Sequence, residues 1–471
     1  MQDDTTTSNE PGERSEGAAD GPVAPTQPPP LTPKRATALA VGIAAVAVAF
    51  SLARAADSFE RAVAAPVSFA IRGLTGQEPK LAPSLKAFAF DDRAVAAAGL
   101  ASHRLADWTK LLQALAPSHP KTILLGSTFG HLSDPENVAD FVRAAEATGA
   151  AVIARALLTE AAVTGLETLP TERYAFNLAT LTNNAPGLRN RRPPLWLPVE
   201  PRHAYGPTGS TTVAFAHVGH GLTSDGARAP ALVNVGPALY LPHWALLATG
   251  TPQLVSSQLF VGGKSADVDS QGLIPINLLP PKTAGSAIAS VAALLPTPGP
   301  LLTDNGVRAG DTVVIFGDLT AATTLHDFTP RGRMPAAWLD VSLLSSALTG
   351  DWINVFPGAP VAVALAVALA AVLALFVSAR RQLAAALASG GAFVLLGTLA
   401  FAYSPTGVII PWVQPLIAFA ITSAVLNTVA SRESQRRADL LRHDLSGVLS
   451  PEKLTAMLDQ HALHRLDATE Q

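Results

Sequence analysis

The sequence predicts an α/β fold: a mixed-sheet α/β domain held outside a membrane by four transmembrane α-helices. Three observations predict it. Between residues 58 and 350, apolar runs of strand length alternate with amphipathic helical patterns, which implies strands and helices packed in layers. One uncharged apolar span precedes that region and three follow it. Arginines gather at one end of those spans, so the spans share an orientation rule.

Composition agrees. The chain has 471 residues, of which 48% are hydrophobic and only 15% charged. That balance is apolar for a soluble protein and points to membrane segments. A net charge of −3 offers no basic field for nucleic acid. Cysteine is absent, which excludes disulfides, thiolate metal sites and thiol catalysis. There is no solenoid-period repeat, glycine-rich phosphate loop, nucleophile elbow or zinc-protease helix.

Residues 1–33, ending "PTQPPPLTP", hold almost no large apolar side chains and are expected to be a disordered tail. Residues 36–54 follow as the first transmembrane helix, bracketed by Lys34, Arg35 and Arg54. The "ARAAD" run after it would also suit a signal-peptidase site, but the long polar tail favours a retained helix. In the 58–350 domain, "LKAFAF" (85–90), "KTILLGS" (121–127), "AAVIARALL" (150–158), "TTVAFAHV" (211–218) and "TVVIFGD" (312–318) read as strands. "RLADWTKLLQALA" (104–116) puts Leu105, Trp108, Leu111, Leu112 and Leu115 on one helical face. "SDPENVADFVRAAEATG" (133–149) is expected to start a helix with Asp134 as cap and Pro135 in its first turn, and to end it at Gly149. The alternation implies a parallel or mixed sheet.

The remaining spans are 359–378, 383–402 and 406–430, the last two joined by a tight turn. Arg380, Arg381, Arg432, Arg436 and Arg437 mark the cytoplasmic side, as do Lys34 and Arg35. Both termini are then expected in the cytoplasm, with 431–471 a cytoplasmic stem and connector.

Ligands of parallel α/β sheets gather beyond the carboxyl ends of the strands. That rule selects Asp91 and Asp92 after the first strand, Ser127 and Thr128 after the second, and Asp318 at the last. Each also suits a helix cap or a turn. His326, Asp327 and Arg333 form a second candidate set in the "LHDFTPRGRM" loop, against the plainer reading of a solvated rim. "HVGH" sets His217 and His220 on opposite faces of a strand, poor metal geometry even with His203 or Asp225 added, so no metal is expected. His443 in "LLRHDLSGVL" lacks the second helix and nucleotide-binding domain that a phosphoacceptor needs and is read as a solvated stem residue.

These segments, in this order, resemble bacterial receptors with a CHASE2 extracellular sensory domain. "FAFDDRAVAAAG" resembles that domain's opening strand and helix, and "PKTILLGSTFGHLSDPENVADFVRAAEATGAAVIA" its second and third strand unit. "FAHVGHGLTSDGARAPALV" and "GVRAGDTVVIFGDLTAATTLHDFTPRGRMPAAWLDVSLLSSALTGDWI" are similar to its middle and closing segments. "MPAAWLD" and "STFGHLS" depart from the usual runs at their positions. "RRADLLRHDLSGVLSPEKLTAMLDQ" is similar to the connector that leads into a class III nucleotide cyclase domain in family members, and here "HALHRLDATEQ" follows it.

The resemblance implies a non-enzymatic sensor or receptor subunit in the bacterial inner membrane, without cofactor. It would detect an unknown extracytoplasmic ligand and couple it to a cytoplasmic signalling protein in trans, as a homodimer through the stem. The alternatives are an envelope scaffold or protein-binding module, and a truncated cyclase receptor.

Overall fold

The computed structural model describes residues 33–52, 66–67, 69–127, 129, 135–155, 157–159, 167–168, 176–177, 197–200, 213–216, 228–236, 239–250, 252–255, 258–268, 273–295, 306–319, 326–355, 359–376, 388–392, 394–396, 407–409 and 412–445. The tail, Asp134, Thr128, His203, His217, His220, Asp225 and the connector after 445 lie outside these residues.

The chain is mixed α/β, built on a six-stranded parallel sheet. Its strands are β1 (Leu85–Phe90), β2 (Thr122–Gly126), β3 (Ala151–Arg155), β4 (Val213–Ala216), β5 (Ile288–Ser290) and β6 (Thr312–Asp318), in the spatial order β5-β1-β6-β2-β3-β4. Every neighbouring pair is parallel, from Ala87 opposite Ile288 at one side to Val152 opposite Val213 at the other. The expected mixed sheet is therefore corrected. The central sheet is parallel throughout: helices at Asp92–Ala98 and Leu105–Leu115 link β1 to β2, a helix at Val138–Ala147 links β2 to β3, and packed elements cover both faces. Antiparallel pairing is confined to small separate sheets, such as the one formed by Gln253–Val255, Gln258–Val261 and Lys264–Asp267.

Side chains alternate along each strand between two cores. On one face, Phe88, Phe90, Ile123, Leu125, Val313 and Ile315 pack under α2 (Asp92–Ala98), α3 (Leu105–Leu115) and α4 (Val138–Ala147). The five α3 residues expected to share a face are all buried there, and Trp108 stacks obliquely on Phe90 and Phe129. On the other face, Leu85, Ala87, Leu124, Ile153, Val314 and Phe316 pack against Trp244, Leu246 and α5 (Ala336–Thr349). Trp244 Nε1 donates to Asp340 Oδ1 of α5 at 3.1 Å, and His243 Nδ1 accepts from Ala245 N, capping the turn Trp244–Leu247. This buried polar tie holds α5 to the Trp244–Leu247 turn on the same face of the sheet.

Two local expectations are revised. Pro135 opens a 3-10 turn, Pro135–Asn137, and α4 proper begins at Val138; it ends at Ala147, with Thr148 as its cap and Gly149, at φ +65°, turning the chain just beyond. The "LHDFTPRGRM" segment is a hairpin, β7 (His326–Thr329) paired with β8 (Gly332–Pro335), rather than a loop. Thr329 Oγ1 donates to Gly332 O at 2.7 Å and accepts from Arg331 N, which closes the two-residue turn.

The helical part comprises α1 (Pro33–Leu52), α6 (Ala359–Phe376) and α7 (Val413–Leu445). Among the described residues two stretches are long and apolar enough to cross a membrane, Lys34–Ser51 and Val413–Glu433; the apolar part of α6, Pro360–Leu373, is shorter. Four such spans were expected. Of 383–402, only 388–392 and 394–396 are described, and they are helical. The helices pack through small residues: Ala40, Val363, Val367 and Ala418 form one contact, and Ala366, Ala370 and Phe419 another. Between the last two spans stands a strand, β9 and β10 being the pair Asn354–Val355 and Val408–Ile409. The run Val408–Ile410 is β-branched and is followed by Pro411, so α7 starts at Val413 rather than at 406.

Candidate functional site

Two places in the fold gather polar residues. The first is the carboxyl edge of the sheet. Because β1, β6 and β2 are neighbours, the topology brings the ends carrying Asp91, Asp318 and Ser127 to one edge. There Asp91 and Ser127 bond to local partners. Asp91 Oδ1 accepts from Ala94 N at 2.9 Å and from Ser290 Oγ at 2.6 Å, so it caps α2 and ties β5 to it. Asp92 lies exposed in the first turn of α2. Ser127 Oγ accepts from Phe129 N at 3.1 Å in a tight turn. Asp318 pairs in register with Phe90 at the end of β6. Backbones meet closely here: a Cβ on Gly126 would stand 2.9 Å from Ile315 O, so β2 and β6 could not approach as they do with alanine there. His326 and Asp327 sit on β7, opposite Pro335 and Met334, in a hairpin separate from the parallel sheet, and Arg333 is exposed on β8.

The second place is a joint where three separate segments meet, and sequence reasoning missed it. Its centre is Arg72, on the helical stretch 69–74 that enters the domain; its side chain is 2% exposed. Arg72 Nε donates to Gln77 O, and Nη1 donates to Asn277 Oδ1 at 3.0 Å. Nη2 stands 3.9 Å from Asp351 Oδ1, just past the end of α5. Asn277 Nδ2 in turn donates to Asp351 O at 3.1 Å. Next along the chain, Trp352 and Ile353 are buried in the core under α5.

The third segment comes from between the membrane-type helices. Asn354 N donates to Gly407 O at 3.3 Å, and β9 and β10 run parallel with Asn354 opposite Val408. Gly407 has φ +63°, and a Cβ on it would meet Trp352 O at 3.3 Å and Arg72 Nη1 at 3.4 Å. Only glycine suits both the conformation and the space. A rim closes the joint: Arg331 Nη1 bonds Glu78 Oε1 at 2.9 Å, and its guanidinium lies 5.0 Å above the Phe69 ring.

Electrostatics follow from burial. Desolvation lowers the Arg72 pKa from its ordinary value, with the Asp351 charge opposing. Burial raises the Asp351 carboxyl above the usual carboxylate range, against the pull of Arg72 and Asn277. Removing one member of such a pair leaves the other charge uncompensated, so the two are tied structurally. One sequence signal pointed to it: Arg72 is the basic residue inside the apolar run "VSFAIRGL". Among the described residues no cluster of three or more His, Asp or Glu could hold a metal ion.

No protein-family model, curated protein or solved structure matches the chain.

Proposed function

We propose that this chain is a membrane sensor of the CHASE2 type, receiving a signal on residues 58–350 outside a bacterial inner membrane and passing it to the cytoplasmic stem. Four spans, 36–54, 359–378, 383–402 and 406–430, carry the chain across, with both termini inside. The chain serves reception and coupling rather than catalysis, and a cytoplasmic signalling protein receives the output in trans from a stem-paired dimer.

The observation that carries this reading is the joint. It ties the domain's entrance at Arg72, its exit at Asp351–Val355 and the turn ahead of α7 into one hydrogen-bonded unit. Residues 410–412 alone separate β10 from α7, which then runs 33 residues without a break, about 50 Å. A helix of that length moves as a rod, and helix shifts of about 1–2 Å are the usual scale of such transitions. The same arrangement brings Arg35 of α1 within 3.6 Å of Glu433 of α7, at the end away from the joint. That pairing supports a shared side for the N-terminus and the stem.

Reporter fusions at residues 200 and 440 test the membrane part: the first is expected outside and the second inside, and the reverse pattern overturns the proposal. The coupling part is tested in the cysteine-free chain by Asn354→Cys with Val408→Cys. Oxidising that pair in membranes is expected to change stem-to-stem crosslinking at position 440. Unchanged crosslinking with the disulfide formed in full would sink coupling through the joint.

A further inference from the structure

A cavity of about 530 Å³ opens between α1 and α7 at the end nearest the joint, and nothing in the sensing proposal uses it. Its walls are apolar: Gly42, Val46 and Phe50 from α1 face Ile417 and Ile421 from α7. Val363 of α6 closes the floor. At its upper end are two polar side chains, Ser51 and Gln414. Ser51 is 8% exposed, and its hydroxyl has no hydrogen-bond partner among the described residues. A buried hydroxyl without a partner costs free energy, so a site that keeps one is built for something that brings an acceptor. An apolar cavity of this size with a few polar groups at one end has the makeup of a small-molecule site.

We infer that this cavity is a lipid site, holding one acyl chain of a bilayer glycerolipid with its ester carbonyl accepting from Ser51 Oγ. The inference rests on the membrane reading of α1 and α7. Depth fits the assignment: Ser51 is the last residue but one of α1, where a spanning helix leaves the hydrocarbon, and ester carbonyls lie at that boundary. Charge fits as well, because the lining has no ionised side chain and so suits a neutral ester. The groove lies open on one side, with Val46, Phe50 and Ile421 more than half exposed, so its mouth faces the bilayer lipids directly; a helix of a second copy is the rival occupant that the crosslinking below tests. The site also sits on the route by which the joint would move α7, so an occupied slot would wedge α1 and α7 apart at the end where the signal enters.

The test uses the full chain in bilayer nanodiscs containing phosphatidylethanolamine with a diazirine in one acyl chain. Photolabelling is expected to concentrate on 42–51 and 413–421, about tenfold above the exposed face of α6 at Val361 and Leu365. Ala47→Phe and Ile421→Trp fill the slot from opposite walls, and each is expected to remove that excess. Ser51→Ala should lower labelling about fivefold, the scale of one hydrogen bond, and an ether-linked probe should abolish the difference between Ser51→Ala and the native chain. Even labelling over all lipid-facing residues would overturn the site. So would full displacement of the label by free palmitate, which makes a fatty acid the occupant. Intermolecular crosslinking of Val46→Cys with Ile421→Cys in high yield would make the slot an interface between copies, and that too overturns it. Loss of the protein from membranes under alkaline wash sinks the membrane reading itself and is scored apart from the labelling.

Discussion

Arg72 and Asp107 show how single buried charges are managed in this chain. Arg72 has three oxygen neighbours from three segments, and removing it strands all of them. Arg72→Met is expected to destabilise the domain by about 3 kcal/mol or more, the usual result of breaking a buried pair from one side. Chemical denaturation of the detergent-solubilised chain measures it; a change below about 1 kcal/mol would show that the pair is not buried in solution. Asp107 is the opposite case. Burial alone would raise its pKa, but Lys110 Nζ at 3.0 Å, Arg104 Nη2 at 2.6 Å and Ala101 N at 3.0 Å together hold it below the usual carboxylate range. A depressed folded pKa gives stability that is present above the unfolded value of about 3.9 and is lost as pH falls through the folded one. The stability gap between the native chain and Asp107→Asn should therefore be widest near neutrality and shrink below about pH 4. Melting curves at pH 7 and pH 3 check this, and a gap that is constant with pH counts against it.

At the scale of elements, β6 was legible to the residue, and β1 likewise, because a strand buried on both faces writes a continuous apolar run bounded by turn residues. α3 was legible because its apolar period leaves no rival. What sequence reasoning did not reach were contacts between distant segments. Nothing local in "TGVII" says that Val408 pairs with Asn354, since the partner lies across two helices. Asp91, Ser127 and Asp318 were correctly grouped by strand ends, yet whether Asp91 binds a ligand or caps α2 depends on Ser290, far along the chain. The stem adds one further prediction. α7 continues unbroken into it, and Leu440 there is 62% exposed in the single chain, an apolar residue with no cover of its own. With Leu441 and Leu445 near it in the sequence, we predict that it is covered by pairing with a second copy. Leu441→Glu with Leu445→Glu should abolish stem crosslinking in membranes while leaving the α/β domain folded. Undiminished crosslinking would remove the stem from the coupling route.

For the whole molecule, the domain boundary read from sequence at residue 350 can be set against the packing. Residues 58–350 contain the parallel sheet and most of both cores, so the segment is expected to fold as a cooperative unit. The boundary nonetheless cuts the core under α5. Trp352 is 1% exposed and belongs to that core with Ile353, and Asp351 is the charge facing Arg72. Losing a buried tryptophan costs about 3–5 kcal/mol in other proteins, through lost transfer free energy and the cavity left behind. A fragment ending at 350 also leaves the Arg72 guanidinium buried without its carboxylate. Fragment 58–355 is therefore expected to exceed 58–350 by about 4 kcal/mol in urea unfolding, with a larger m-value because more surface is buried. Adding 407–409 as a free peptide should change little, since β9 and β10 share only two register pairs. Equal stability of the two fragments would show that Trp352 docks only when α6 holds it in place. Aggregation of both would mean that the domain needs the helices to fold, and the joint would then be a folding contact before it is a signalling one.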